Sequence, residues 1–294
     1  MKTSNMKFIA LTLILSSFIG LGNTANAGLM ERLAEAKRKA DDSALEQSIG
    51  PFTRTSIKEI TIDVPPDAKW LMIVTSIGDT KTSSTNPTKP GTQKIIVSLG
   101  NGPGSYEVRT YFVRSEKING DQYEYIKTFK IENLDKRDMT YLLPSYMVAS
   151  ENSEIIALSK QITAGETTDK GKVKKINDYM MSNITYNLKG FLDGTFASKP
   201  YDAMTVLKEK ISVCGGYANL FAALSRAAGV KTKIVNGDAM GMKGRELHAW
   251  NEVLIDGVWL PIDTTWNTAY KSYKYFLIPE NFLGDHFTSK VMPY

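Results

Sequence analysis

The chain holds one cysteine, Cys214, and two histidines, His248 and His286. Cys214 opens the run Cys214-Gly215-Gly216-Tyr217, after which Tyr217, Leu220, Phe221, Leu224 and Ala228 recur at helical spacing as far as Gly229. That pattern predicts a helix with one buried face, a glycine stop, and the thiol in its first turn. A helix start carries partial positive charge and free N–H groups, which favour thiolate over thiol and can hold an oxyanion. Gly215 and Gly216 would let a substrate backbone come close. A thiol nucleophile needs a base. Residues 247–255 alternate, so His248, Trp250, Glu252 and Leu254 share one strand face. Asp256-Gly257 is a two-residue hairpin signal, and residues 258–263 return the chain. The register sets Ile255 opposite Val258, Leu254 opposite Trp259, Glu252 opposite Pro261 and Trp250 opposite Asp263, which makes Asp263 the diagonal neighbour of His248 on the same face. An aspartate there fixes the imidazole tautomer and stabilises the imidazolium. Nucleophile, base and orienter are all present, and their chemistry is acyl transfer.

Three runs carry a resemblance: Cys214-Gly215-Gly216-Tyr217-Ala218, His248-Ala249-Trp250-Asn251-Glu252-Val253, and Trp259-Leu260-Pro261-Ile262-Asp263-Thr264-Thr265-Trp266. Together they resemble the transglutaminase-like superfamily of papain-type thiol enzymes, in a secreted bacterial form, over about residues 150–285. The resemblance implies a Cys214–His248–Asp263 triad, a papain/transglutaminase-like α+β domain, and protein or peptide substrates. The family's aspartate motif commonly reads Asp-Pro-Thr. Here it is Asp263-Thr264-Thr265, a departure that bears on loop rigidity and leaves the carboxylate in place. Papain-type enzymes offer a glutamine shortly before the nucleophile as an oxyanion donor, and the matching position here is Lys208. The backbone N–H of Cys214, followed by Gly215, would then act with either Tyr186 or Trp266. Trp250 either packs beside the His–Asp pair or fills the core.

The implied acyl-enzyme can go to water, as in a cysteine peptidase or amidase, or to an amine, as in a protein-crosslinking transglutaminase (glutamine γ-glutamyltransferase). The triad is common to both, and water is favoured because it needs no second substrate site. The contrasting class is a non-catalytic cell-surface binding or scaffold module, whose usual mark is a broken triad.

At 294 residues, 42% hydrophobic and 23% charged, the sequence is that of an ordinary globular protein with room for two domains. The formal charge of +5 is spread among interleaved lysines and acids, without a basic stripe or base-stacking motif, so no nucleic-acid partner is expected. With no His-Glu-x-x-His, no cysteine cluster and no EF-hand loop, neither metal nor cofactor is expected. A single cysteine allows no intramolecular disulfide.

Residues 1–27 read as a signal peptide, with Lys2 and Lys7 as the positive region, residues 8–21 as the apolar region, and Ala25-Asn26-Ala27 as the cleavage site. The apolar run is short and is interrupted by Ser16, Ser17 and Gly20, so stable membrane insertion is not expected after cleavage. The expectation is a secreted or cell-envelope protein whose substrates could include wall-associated ones.

Those residues must be positioned by an α+β fold. Residues 28–50 read as an amphipathic helix or stalk. Residues 52–148 read as an N-terminal antiparallel β-sandwich, immunoglobulin-like, with strands at 55–64, 70–77, 94–99, 105–113 and 122–131. The Thr/Ser/Pro-rich run 80–91 reads as a turn between them. Residues 138–150 form a linker that is apolar enough to be pinned against both domains. In the catalytic domain, 150–294, helices are expected at 154–163, 169–183 and 201–207, and strands at 231–235 and 274–278. A Gly/Met-rich loop at 236–245 would rim the groove. His286 has no partner pattern and reads as a solvent histidine.

Overall fold

A computed structural model describes residues 56–114, 123–198, 201–241 and 244–292. The signal peptide read at 1–27 and the helix read at 28–50 lie outside the described residues.

The first half is built from six strands: β1 (Ile57–Val64), β2 (Trp70–Ile77), β3 (Thr80–Pro87), β4 (Gly91–Ser98), β5 (Gly104–Val113) and β6 (Tyr123–Asn133). They form two antiparallel sheets, one ordered β1-β4 and the other β3-β2-β5-β6. Alternate residues point inward, and Ile60, Ile62 and Val97 from the small sheet share one core with Leu71, Val108 and Phe112 from the large one. One expectation fails here, because residues 80–87 are a strand and not a turn. Gly78 at φ 52° and Asp79 make a two-residue turn, and β3 then pairs with β2 from Ile77↔Thr80 to Trp70↔Pro87. An edge strand facing water needs no apolar alternation, so its threonines carry β propensity without the usual signature.

The second half runs α1 (Ser153–Ile162), α2 (Asp169–Asn183), β7 (Thr185–Tyr186), α3 (Leu188–Asp193), a 3₁₀ turn at Thr195–Ser198, α4 (Ala203–Glu209), β8 (Ile211–Ser212) and α5 (Cys214–Ala227). It continues with β9 (Thr232–Gly241), β10 (Gly244–Ile255), β11 (Val258–Ile262), α6 (Thr264–Tyr270), a 3₁₀ turn at Pro279–Phe282 and β12 (His286–Met292). The sheet order is β11-β10-β9-β12. Asn152, Thr168 and Asp202 cap α1, α2 and α4 by accepting from first-turn N–H groups. Helix α5 is buried from Gly216 to Arg226, on every face. It packs on β10, α1, α2 and α4, and its apolar residues all round the axis are what such a central position requires.

Two further expectations are corrected. The segment 236–245 is not a loop but the ends of β9 and β10, paired from Asn236↔Ala249 to Gly241↔Gly244. Gly237, read as part of that loop, serves close strand approach: a Cβ there would lie 2.1 Å from the Phe287 carbonyl oxygen and 2.9 Å from the Trp250 ring. Residues 274–278 make only the single bridge Ile262↔Phe276, and the last strand is β12, which lies along β9.

Between the halves, residues 138–149 form a strap bonded on both sides. Ser98 Oγ donates to the Pro144 carbonyl at 2.5 Å, and Thr140 Oγ1 donates to Gly100 at 3.1 Å. On the other side, the Thr232 N–H donates to Tyr141 at 2.9 Å, Arg226 Nη1 donates to the Leu143 carbonyl at 2.7 Å, and Asp138 pairs with Lys231. Arg226 is fully buried on α5 and its Nε and Nη2 both reach the Thr232 carbonyl, so a costly desolvated cation is met by backbone acceptors. No helix among the described residues is long and apolar enough to cross a membrane.

Candidate active site

The short parallel pair β7–β8 delivers the chain to Val213, which caps α5 without any side-chain bond to its first turn. The N–H groups at the start of α5 therefore have no capping side chain, and the partly exposed Cys214 is the first residue of that turn. The two glycines have different reasons. A Cβ on Gly215 would touch the Tyr201 ring at 3.3 Å, on the cleft side. A Cβ on Gly216 would fall 2.0 Å from Ser212 Oγ and 2.8 Å from Val206, so Gly216 serves internal packing and not the approach of a substrate.

Opposite lies the β10–β11 hairpin. Ile255 pairs with Val258, Leu254 with Trp259 and Glu252 with Pro261, the expected register, around a turn with Asp256 at φ 50° and Gly257 at φ 80°. The ladder ends at Asn251↔Ile262. Asp263 then leaves the strand to become the N-cap of α6, its Oδ1 accepting the Trp266 N–H at 3.0 Å. Its Oδ2 lies 2.8 Å from His248 Nε2, which leaves Nδ1 of the ring for Cys214. Asn251 Nδ2 donates to Ala218 on α5 at 3.1 Å and to Lys233 on β9 at 3.0 Å, tying the histidine strand to the cysteine helix.

The His248 side chain is 7% exposed and that of Asp263 is fully buried. Burial works against protonation of His248, but the charge and hydrogen bond of Asp263, and then Cys214, outweigh it and lift the pKa to about 10. Burial would raise the Asp263 carboxyl, yet His248 and then His286 hold it far below the usual carboxylate range.

The reading of His286 as a solvent histidine is overturned. Its side chain is 2% exposed, and its Nε2 lies 3.2 Å from Asp263 Oδ2. Sequence gave no sign of this, because β12 reaches the site only by folding back along β9, with His286 opposite Ala239. His248, Asp263 and His286 are also a group among the described residues whose ligand atoms, within 4.8 Å of one another, have a spacing that could hold a metal ion.

The sequence model of the transglutaminase-like superfamily matches residues 156–264. This part of the chain is similar to that superfamily. Human kyphoscoliosis peptidase is 29% identical over 141 residues, covering 41% of this chain and 21% of that protein, and the mouse protein of the same name is 28% identical over 141 residues. The match thus spans about a fifth of these relatives' length. Among solved structures, a protein of Cytophaga hutchinsonii described as a candidate cysteine protease aligns over 79% of this chain and 80% of its own, at 17% identity and a TM-score of 0.39.

Within the transglutaminase-like core the two oxyanion candidates lie in different places. Tyr186 on β7 pairs with Ser212, two residues before Cys214, and burial and then the nearness of Cys214 raise its hydroxyl above the usual range, so it remains a donor. Trp266 lies behind the His–Asp pair, its ring 5.2 Å from that of His248 and 4.4 Å from that of His286. The Trp250 ring stacks 6.2 Å from His248. Lys208 is exposed on α4 and does not line the cleft. Cys214 and His248 open onto a cleft of about 410 Å³ walled by Met147, Phe191, Phe196, Tyr201, Leu247 and Met292. No Asp, Glu, Lys or Arg lines it among the described residues. A second cleft of about 440 Å³ lies between β3 and β4, away from the thiol and its base.

Proposed function

We propose that the chain is a thiol-dependent acyl-transfer enzyme that hydrolyses protein or peptide amides. The observation that carries this reading is His248, held by Asp263 through one ring nitrogen and turned to Cys214 with the other, at the mouth of an apolar cleft. With the proton of Cys214 already resting on His248 Nδ1, Cys214 Sγ attacks the amide carbonyl carbon. The oxyanion meets the free N–H groups at the start of α5 and the Tyr186 hydroxyl. As the carbon–nitrogen bond breaks, His248 returns the proton to the leaving amine. Water, deprotonated by His248, then attacks the thioester and releases the acid. The uncharged cleft suits a large apolar side chain beside the scissile bond. Hydrolysis is further supported by the name peptidase on the curated relatives that share this core. The leader read at 1–27 supports export, and N-terminal sequencing of exported protein that begins at Gly28 tests it.

The decisive experiment follows the acyl-enzyme by mass spectrometry on peptide and glutamine donors, with and without added amine. A hydrolysed product supports the peptidase, and an amine-containing product replaces it with a transglutaminase. If wild type forms no adduct and an electrophilic thiol probe also fails, the chain is a non-catalytic module.

A further inference from the structure

A second histidine–aspartate pair stands behind the first. His286 Nε2 meets the same Asp263 oxygen as His248 Nε2, at 3.2 Å and 2.8 Å. The other nitrogen of His286, Nδ1, lies 2.7 Å from Asp285 Oδ1, and Asp285 Oδ2 accepts the Tyr275 hydroxyl at 2.7 Å. The ring is enclosed by Trp250, Trp266 and Phe282 at centroid distances of 5.0, 4.4 and 4.4 Å, which keeps water from competing for its nitrogens.

A carboxylate only accepts hydrogen bonds, and a neutral imidazole donates from one nitrogen alone. A carboxylate oxygen lies within hydrogen-bond distance of each His286 nitrogen, and the Nε2 contact serves Asp263 when that nitrogen is the donor. Asp263 is then held by three donors: the Trp266 N–H on Oδ1 and two imidazoles on Oδ2. Such a carboxylate cannot swing away from His248, and its charge is divided between two rings. The same three atoms have a spacing that a divalent ion could use, but separations of 2.8 and 3.2 Å are hydrogen-bond lengths.

Building on the acyl-transfer reading, we propose that His286, anchored by Asp285 and Tyr275, is a positioning residue that donates to Asp263 and thereby sets the orientation of His248. It touches neither substrate nor thiol.

The test uses the full chain and iodoacetamide as the probe of Cys214. Wild type should alkylate faster than free cysteine at pH 6. His286→Phe, which keeps the ring volume and removes the donor, should slow alkylation about 10- to 100-fold, the cost common for partners that orient a functional histidine. His286→Gln, which restores an N–H toward Asp263, should recover part of that loss, and Asp285→Asn should fall between. In a His248→Ala background, His286→Phe should change nothing further. Circular dichroism and a thermal melt of each variant establish that it is folded. The inference is overturned if folded His286→Phe alkylates at the wild-type rate, if His286→Gln is no better than His286→Phe, or if the loss persists unchanged without His248. A wild type no faster than free cysteine would instead remove the acyl-transfer reading, and this inference with it.

Discussion

The two halves of the molecule bury different things. Between the front sheets the core is Ile60, Ile62, Leu71, Ile73, Val97, Val108 and Phe112, a mainly apolar interior produced by strand alternation, with Thr75, Asn86, Thr110 and Asn133 as buried polar residues of its strands. Around α5 the buried set adds His248, Asp263, Arg226, Asn177, Asn251, Asn267, Thr264 and Thr265 to the aliphatic residues. Burying polar and charged groups is costly unless each finds a partner, and here partners are found across elements: Asn267 Nδ2 reaches Asn177 Oδ1 at 3.2 Å, and Asn251 reaches both α5 and β9. The first half thus uses its interior for stability and the second uses part of its interior for geometry. Function belongs where a chain tolerates the more expensive interior.

The sharpest break in that comparison is at the thiol and its base. Cys214→Ala should abolish acyl-enzyme formation, and His248→Ala should slow it about 10³-fold or more, while neither moves the front sheets. Rates from the mass-spectrometric assay, beside melting curves, would show whether activity and stability separate in this way. The reciprocal change is Leu71→Ala between the front sheets. It should cost about 2–5 kcal/mol in urea unfolding and leave the iodoacetamide rate per folded molecule unchanged. A rate that falls with it would mean that the front core also sets the site.

A smaller effect is expected at Gly216→Ala, where the added methyl meets Ser212 Oγ and Val206. We expect about 1–3 kcal/mol of destabilisation by overpacking, together with slower alkylation because the start of α5 must shift. Unchanged alkylation would dissociate the packing of Gly216 from the position of the thiol.

The most gradual effect is on pH dependence. His248 is raised from 6.5 to about 10, so its contribution to stability is full below pH 6.5 and is lost as pH rises through about 10. Asp263 is lowered from 3.8, so its contribution is full above 3.8 and is lost only as pH falls through its native value. The difference in unfolding free energy between wild type and His248→Ala should therefore be largest between about pH 4 and 6.5 and shrink steadily toward pH 10. A difference that is flat or grows over that range would contradict the buried ion pair.

Much of this was legible in the sequence because it is local. A two-residue turn dictates the register that brings Asp263 beside His248, and helical spacing after Cys214 places the thiol at a helix start. What failed was either polar or remote. β3 lacks an apolar face because it is an edge, the end of β9 carries a glycine that packs where a loop was expected, and the partner of His286 lies across a chain reversal that only the completed sheet defines. Gly216 and Gly237 show the same ambiguity, since a glycine signals freedom or closeness and only the neighbours tell which.

The strap at residues 138–149 bears on how this chain could be cut out or recombined. The matched family region begins at residue 156, yet Met147 walls the cleft, its carbonyl accepts the N–H of Ala203, and Leu143 supplies an acceptor to the buried guanidinium of Arg226. A gene fragment opened at residue 150 would encode a nucleophile helix deprived of one of its anchors and a substrate cleft missing part of a side. Modules exchanged between proteins would have to join upstream of Asp138, so that the strap, outside the family boundary, is inherited with the half that holds the cleft and not with the sheets that precede it.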